Sequence, residues 1–131
     1  MLYAGTVALR NILVVSLGGI IGSLLRWLIS LPTHENGRPG GTLIVNFIGA
    51  GILIYALNYF QAHPNPRWWW RPAIASGFCG GFTTYSAFAV QIQGYLAENE
   101  YGAATLYVLV SLIGTYVVMT VISLIYKRAT R

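Results

Sequence analysis

The stretch Gly77-Phe78-Cys79-Gly80-Gly81-Phe82-Thr83-Thr84-Tyr85-Ser86-Ala87-Phe88 lies midway through a hydrophobic segment long enough to cross a membrane, yet it does not read like a plain spanning helix. Three glycines, two threonines and a serine stand where leucine and valine would be expected. Flexible backbone and hydroxyls cost free energy in hydrocarbon unless they face protein or a water-filled path. Glycines followed by paired threonines predict a break in the helix near the bilayer midplane. A break exposes backbone carbonyls to a cation and backbone amides to an anion. Beyond it, Tyr85 and Phe88 are three apart and share a face, with Ser86 beside them. They read either as aromatic core or as the lining of a path.

The surrounding chain agrees with a membrane setting. Of 131 residues, the length of one domain, 56% are hydrophobic and 8% charged, against roughly 25% charged in soluble proteins. The apolar residues fall in four blocks, about 11–31, 42–60, 72–97 and 103–126. The expected fold is an all-α membrane protein, one domain over residues 1–131 with four transmembrane helices, the third broken. The first block has the length of a full span and lacks an A-x-A-like cleavage site, so no cleavable signal peptide is expected. Cys79 is the single cysteine; it excludes an intrachain disulfide and reads as a small buried residue. The net charge of +5 fits basic ends beside anionic lipid headgroups rather than nucleic acid.

Polar residues inside the blocks carry the functional information. Gly18, Gly22 and Arg26 are spaced by four and share a helical face; the G-x-x-x-G pair marks close helix packing. Arg26 either snorkels to the interface or lines an anion vestibule. Asn46 lies about one turn inside the second block, with Gly49 and Ala50 on its side. An amide in hydrocarbon needs partners, so Asn46 is either helix–helix glue or a hydrogen-bonding group in a polar passage. Tyr107, Ser111 and Thr115 recur every four residues as a hydroxyl stripe on the fourth block, although such hydroxyls often bond only within their own helix. Trp68-Trp69-Trp70 between Arg67 and Arg71 reads as an interfacial aromatic belt, and neither His34 nor His63 has a ligand-spaced partner.

Four spans place both ends of the chain on one side. Arg10, Arg67, Arg71, Lys127, Arg128 and Arg131 lie there, against Arg38 and the ambiguous Arg26 opposite, which favours cytoplasmic termini. No ATP-binding loop, catalytic triad or metal cluster is apparent, so an enzyme is not expected. Glu35, Glu98 and Glu100 all fall in loops; a proton-coupled antiporter of cationic solutes needs a carboxylate inside the membrane. Hydrogen-bond donors without carboxylates suit an anion, because donors can replace its hydration shell. Four short spans hardly enclose a pore alone. The residues point to a small oligomeric anion channel, with a non-conducting helical scaffold as the alternative and a small-solute antiporter disfavoured.

At Gly18-Gly19 through Gly22 to Arg26, at Gly41-Thr42-Leu43 with Val45-Asn46, and above all at Gly77–Phe88, the chain resembles the dual-topology fluoride channels, also called CrcB or Fluc proteins. The resemblance covers essentially the full length. It implies an antiparallel homodimer with two fluoride pores at the subunit interface, working in the prokaryotic plasma membrane in passive export of cytoplasmic fluoride. It also implies a structural sodium ion at the dimer interface, held by the backbone carbonyls of Gly80 and Thr83. Asn46 would be the pore-lining amide, and Tyr85 and Phe88 would take the family's two phenylalanine positions with Ser86 as a further donor. Tyr107, Ser111 and Thr115 would form the polar track of the fourth helix, with Arg26 and Thr42 at the vestibule. Three departures stand out. Tyr85 replaces a phenylalanine, Gln91 stands where many relatives carry glutamate, and the lopsided positive charge suits one half of a heterodimer with an oppositely inserted paralogue. The homodimer is favoured because the motifs for both halves of the site occur in this one chain.

Overall fold

The computed structural model describes residues 2–34, 40–63 and 67–130. Helix α1 runs over Leu2–His34 and α2 over Gly40–Ala62. A π-helical segment, Pro72–Phe78, runs directly into the short helix α3, Cys79–Phe82. Helix α4 spans Ser86–Ala97 and α5 spans Tyr101–Ala129. The loop residues Glu35 and Arg38 and the terminal Arg131 lie outside the described residues. Among the described residues three helices are long and apolar enough to cross a membrane: Leu9–Pro32 within α1, then α2 and α5. The chain is a multi-pass membrane protein.

The apolar residues along α1 and α5 point outward rather than into a core: Leu17, Leu24, Leu28, Leu112 and Ile125 are all exposed. Lipid is as apolar as leucine, so it gives helices no hydrophobic reason to associate, and close backbone packing does that work. The glycines anticipated as a packing face serve this role. A Cβ on Gly18 would overlap the Ala73 carbonyl, one on Gly22 the Phe78 carbonyl, and one on Gly81 the Gly19 carbonyl. On the facing π-helical segment of this contact, a Cβ on Gly77 would come within 2.6 Å of the Val15 carbonyl. Pro72 starts the π-helical segment at a position where its missing N–H is not needed. The wider turn that follows was not expected from the sequence; the Cys79 N–H reaches back five residues, to the Ile74 carbonyl.

Helix α2 packs against α5, with Gly51 under Ile122 and Gly114 under the Phe47 ring. The third hydrophobic block changes neighbours along its length: the π-helical segment and α3 pack on α1, whereas α4 packs on α5. The hand-over occurs at residues 83–85, which are not helical.

Two glycine substitutions separate packing from propensity. Gly22→Ala forces α1 away from α3 and is expected to cost about 1–3 kcal/mol, as overpacked sites do. Gly94→Ala, with nothing within 4 Å of a new Cβ, is expected to be neutral or to gain roughly 0.5–1 kcal/mol of helix stability. Thermal unfolding in detergent measures both; equal melting temperatures would refute close α1–α3 packing.

Candidate functional site

The two threonines at the hand-over have different jobs. Thr83 leaves the helix with extended backbone, φ −82° and ψ 160°. Its N–H donates to the Cys79 carbonyl at 3.0 Å and its hydroxyl to the same carbonyl at 2.8 Å, which closes α3. The Thr83 methyl fills the notch where Gly49 of α2 has no side chain. Thr84 opens the next helix: its Oγ1 accepts from the Ala87 N–H at 3.1 Å, three residues on, the geometry of an N-cap. Ser86 Oγ lies 3.2 Å from the same oxygen.

Ending one helix and starting another in an apolar setting leaves backbone groups without ladder partners. Asn46 supplies them. Its Oδ1 accepts from the Thr84 N–H at 2.8 Å and its Nδ2 donates to the Thr84 carbonyl at 3.0 Å. In a continuous helix that N–H would bond to the Gly80 carbonyl; here the Asn46 side chain takes it instead. Of the two readings left open for Asn46, the bond between helices is what this geometry displays. Its amide has a second N–H, and the residue also lines the groove described next. Arg26 is half-buried and turned toward the break, where Nη1 donates to the Thr83 carbonyl at 3.3 Å.

A groove of about 490 Å³ opens at the break. Of the candidate residues, Asn46, Gly80, Thr83, Tyr85, Phe88, Ser111 and Thr115 line it, together with apolar neighbours such as Leu53 and Met119. Tyr85 is 80% exposed, so it projects from the break instead of packing as core. Its ring centroid lies 5.8 Å from that of Phe88, which in turn lies 5.2 Å from that of Tyr107. Tyr107 is buried behind Phe88, and Thr42, also buried, neighbours it. Arg26, Thr42, Ser86 and Tyr107 therefore stand around the groove and not in its lining. The Ser111 hydroxyl bonds back to the Tyr107 carbonyl at 2.7 Å, which orients its oxygen without removing it from the groove.

Two members of the site were not identified by their roles from sequence. Thr84, one residue ahead of the N-cap position Tyr85, bonds the first turn of α4 with its side chain, a role legible in principle from a threonine preceding a helical run. Gln91 accepts the Tyr107 hydroxyl proton at 2.5 Å through Oε1; the two lie on different helices, and no local pattern signals the pair. No aspartate or glutamate is among the groove's lining residues. Amide and hydroxyl groups, aromatic edges and a nearby guanidinium are groups that can stabilise a small anion, and they stand here in or beside a largely apolar groove whose lining holds no proton-exchanging carboxylate.

Comparison with known proteins agrees with this setting. Residues 13–123 match the family model described as CrcB-like protein, Camphor Resistance (CrcB). A protein of Escherichia fergusonii named fluoride-specific ion channel FluC is 36% identical over 125 residues, covering 93% of this chain and 98% of the relative. A protein of the same name from Bordetella petrii is 36% identical over 121 residues, covering 92% of this chain and 94% of the relative. The chain belongs to the CrcB-like protein family.

Proposed function

We propose that this chain is the subunit of a fluoride-selective channel that exports cytoplasmic fluoride passively across a prokaryotic plasma membrane. The observation that carries the reading is the groove at the break: seven candidate residues converge there, Asn46, Tyr85 and Thr115 bring N–H and O–H donors to a largely apolar lining, and no carboxylate is among the lining residues. The names of the relatives point to the same ion. In this reading residues 1–131 form one domain of four spans, the third made of the π-helical segment, α3 and α4, with its break at the bilayer midplane. Two copies associate antiparallel, and each open groove becomes one wall of a pore. The Asn46 amide, the Thr115 hydroxyl and the edges of Tyr85 and Phe88 replace fluoride's hydration shell, and Ser111 joins them when its O–H turns from the Tyr107 carbonyl to the ion. Ser86 and Tyr107 support that wall from behind, and Arg26 and Thr42 draw the anion toward it.

A structural sodium ion fits the backbone of this segment. Hard cations prefer oxygen ligands, and the Gly80 carbonyl has lost the Thr84 N–H to Asn46. Gly80 also faces open space, with nothing within 4 Å of a built Cβ. The Thr83 carbonyl is the second candidate ligand, shared with Arg26 Nη1. Two carbonyls are an incomplete shell, so the ion would need the same pair from a second copy; it would join the two broken segments electrostatically. The excess of basic residues at one end favours a second arrangement, a heterodimer with an oppositely inserted paralogue.

Purified chain reconstituted alone in liposomes is expected to release fluoride and retain chloride. Equal efflux of both anions would overturn the selectivity, and no efflux of either would favour the heterodimer or a non-conducting scaffold.

Asn46 divides structural from conducting roles. Asn46→Asp keeps the acceptor for the Thr84 N–H and loses one donated bond, worth about 1 kcal/mol. It also places an anionic group on the path. The variant is expected to fold and assemble while fluoride efflux falls more than ten-fold, an effect of about 1.4 kcal/mol or more on the barrier. Asn46→Leu strands both Thr84 groups and is expected to lower the melting temperature as well. Wild-type efflux from Asn46→Asp would place the anion path elsewhere.

A further inference from the structure

The end of the molecule that carries the chain termini holds an arrangement that the anion groove does not use. The Arg10 guanidinium lies 4.1 Å from the centre of the Trp68 ring. These two residues, with Val7 and Asn11, line a cleft of about 450 Å³. Trp69 then begins a separate apolar groove of about 450 Å³, lined by Val14, Leu17, Ile21, Ile52 and Phe78 among others. Arg10, Val14, Leu17 and Ile21 recur at helical spacing and share one face of α1. The polar cleft and the apolar groove are therefore stacked along a single helix face and joined by adjacent indoles.

Charge and length identify what suits them. The carboxylates among the described residues, Glu98 and Glu100, sit at the turn between α4 and α5, at the opposite end from Arg10. Arg67, Arg71, Lys127 and Arg128 share the Arg10 end, so an anion is attracted there and meets no acidic competitor. From Arg10 to Ile21 α1 rises roughly 16 Å, about half the roughly 30 Å hydrocarbon core. That is the depth one acyl chain occupies in one leaflet. The remaining aromatic side chains there form a continuous interfacial layer. Trp70 stacks on Tyr59 with centroids 6.2 Å apart, and Tyr59 stacks on His63 at 4.3 Å.

We propose that this face binds one anionic phospholipid, with its phosphate at the Arg10 guanidinium beside Trp68 and an acyl chain in the groove from Trp69 to Ile21. The indole face holds the guanidinium in place by cation–π attraction, and the apolar groove sets the lipid apart from a free phosphate ion. Selectivity for anionic headgroups comes from Arg10 and retention from the groove. The site is independent of anion conduction, because none of its residues lines the groove at the break.

Native mass spectrometry of the full chain in non-ionic detergent tests this, with phosphatidylglycerol, phosphatidylcholine and inorganic phosphate as probes. One phosphatidylglycerol is expected to be retained in preference to phosphatidylcholine, and millimolar phosphate is expected not to displace it. Arg10→Gln is expected to lower phosphatidylglycerol occupancy about five-fold, the effect of one basic residue at an anionic surface, and to erase the headgroup preference. Ile21→Trp, which fills the groove and leaves the cleft intact, is expected to lower retention of both lipids. Lys127→Gln, a charge loss at the same end outside the site, is expected to lower phosphatidylglycerol retention far less than Arg10→Gln and to leave the headgroup preference in place. Equal binding of the two lipids by the unsubstituted chain would overturn the proposal. So would displacement by phosphate, or equal losses from Lys127→Gln and Arg10→Gln. Should Arg10→Gln fail to fold, unchanged retention in Ile21→Trp would overturn it alone.

Discussion

The pairing of the Asn46 amide with both backbone groups of Thr84 is the interaction on which the rest of the structure depends. An interrupted helix in an apolar medium exposes N–H and C=O groups that water cannot reach, at a cost of several kcal/mol each. One carboxamide meets a backbone donor and acceptor at once, because it has the same pair of functions as a peptide group. The pairing requires α2 to lie close to the break. Gly49 permits this by receiving the Thr83 methyl, and α2 is itself seated on α5 through Gly51 and Gly114. The glycines on α1 then hold the first half of the third block, so that the break falls opposite Asn46.

The same pairing shapes the chemistry of the groove. A carboxylate could accept the Thr84 N–H, but it would repel an anion. The neutral amide satisfies the backbone and leaves a donor over. By taking the Thr84 N–H it also withdraws the ladder partner of the Gly80 carbonyl, while Arg26 donates to the neighbouring Thr83 carbonyl. Positive and negative ends of the backbone are thus separated over a few residues. Oxygen atoms gather around residues 80 to 83, whereas the donors and ring edges lie beyond.

Much of this was legible in the sequence because membrane helices make polar residues conspicuous. Glycines and hydroxyls at Gly77–Phe88 have no reason to be there in a plain span, and the face shared by Gly18 and Gly22 has the spacing of a packing seam. Pairings across helices were not legible. Asn46 and Thr84 are 38 residues apart, and Gln91 and Tyr107 are 16 apart, and no local periodicity links either pair. The π-helical turn before α3 left no signature beyond small residues. The three tryptophans read as one uniform belt, yet each ring has its own partner. Trp68 lies under Arg10, Trp69 lines an apolar groove, and Trp70 stacks on Tyr59.

The change of neighbours at the break gives the molecule two different faces. On one side α1 and the π-helical segment are locked together by backbone contact, and what remains outward there is apolar surface, grooved along α1, that ends in indoles and arginines. On the other side α4 packs chiefly on α5 and buries none of its own residues. The groove is open there, with Tyr85 standing almost free. A tyrosine hydroxyl and a row of threonine and serine side chains facing hydrocarbon would be costly, so this second face is the one that gains most from being covered. A second copy applied to it would convert an open groove into a closed path. A lipid seated along α1 would occupy the other face and leave that association unhindered. In the arrangement proposed above, the break in the third block separates the lipid face from the partner face, because the chain passes from α1 to α5 over residues 83–85.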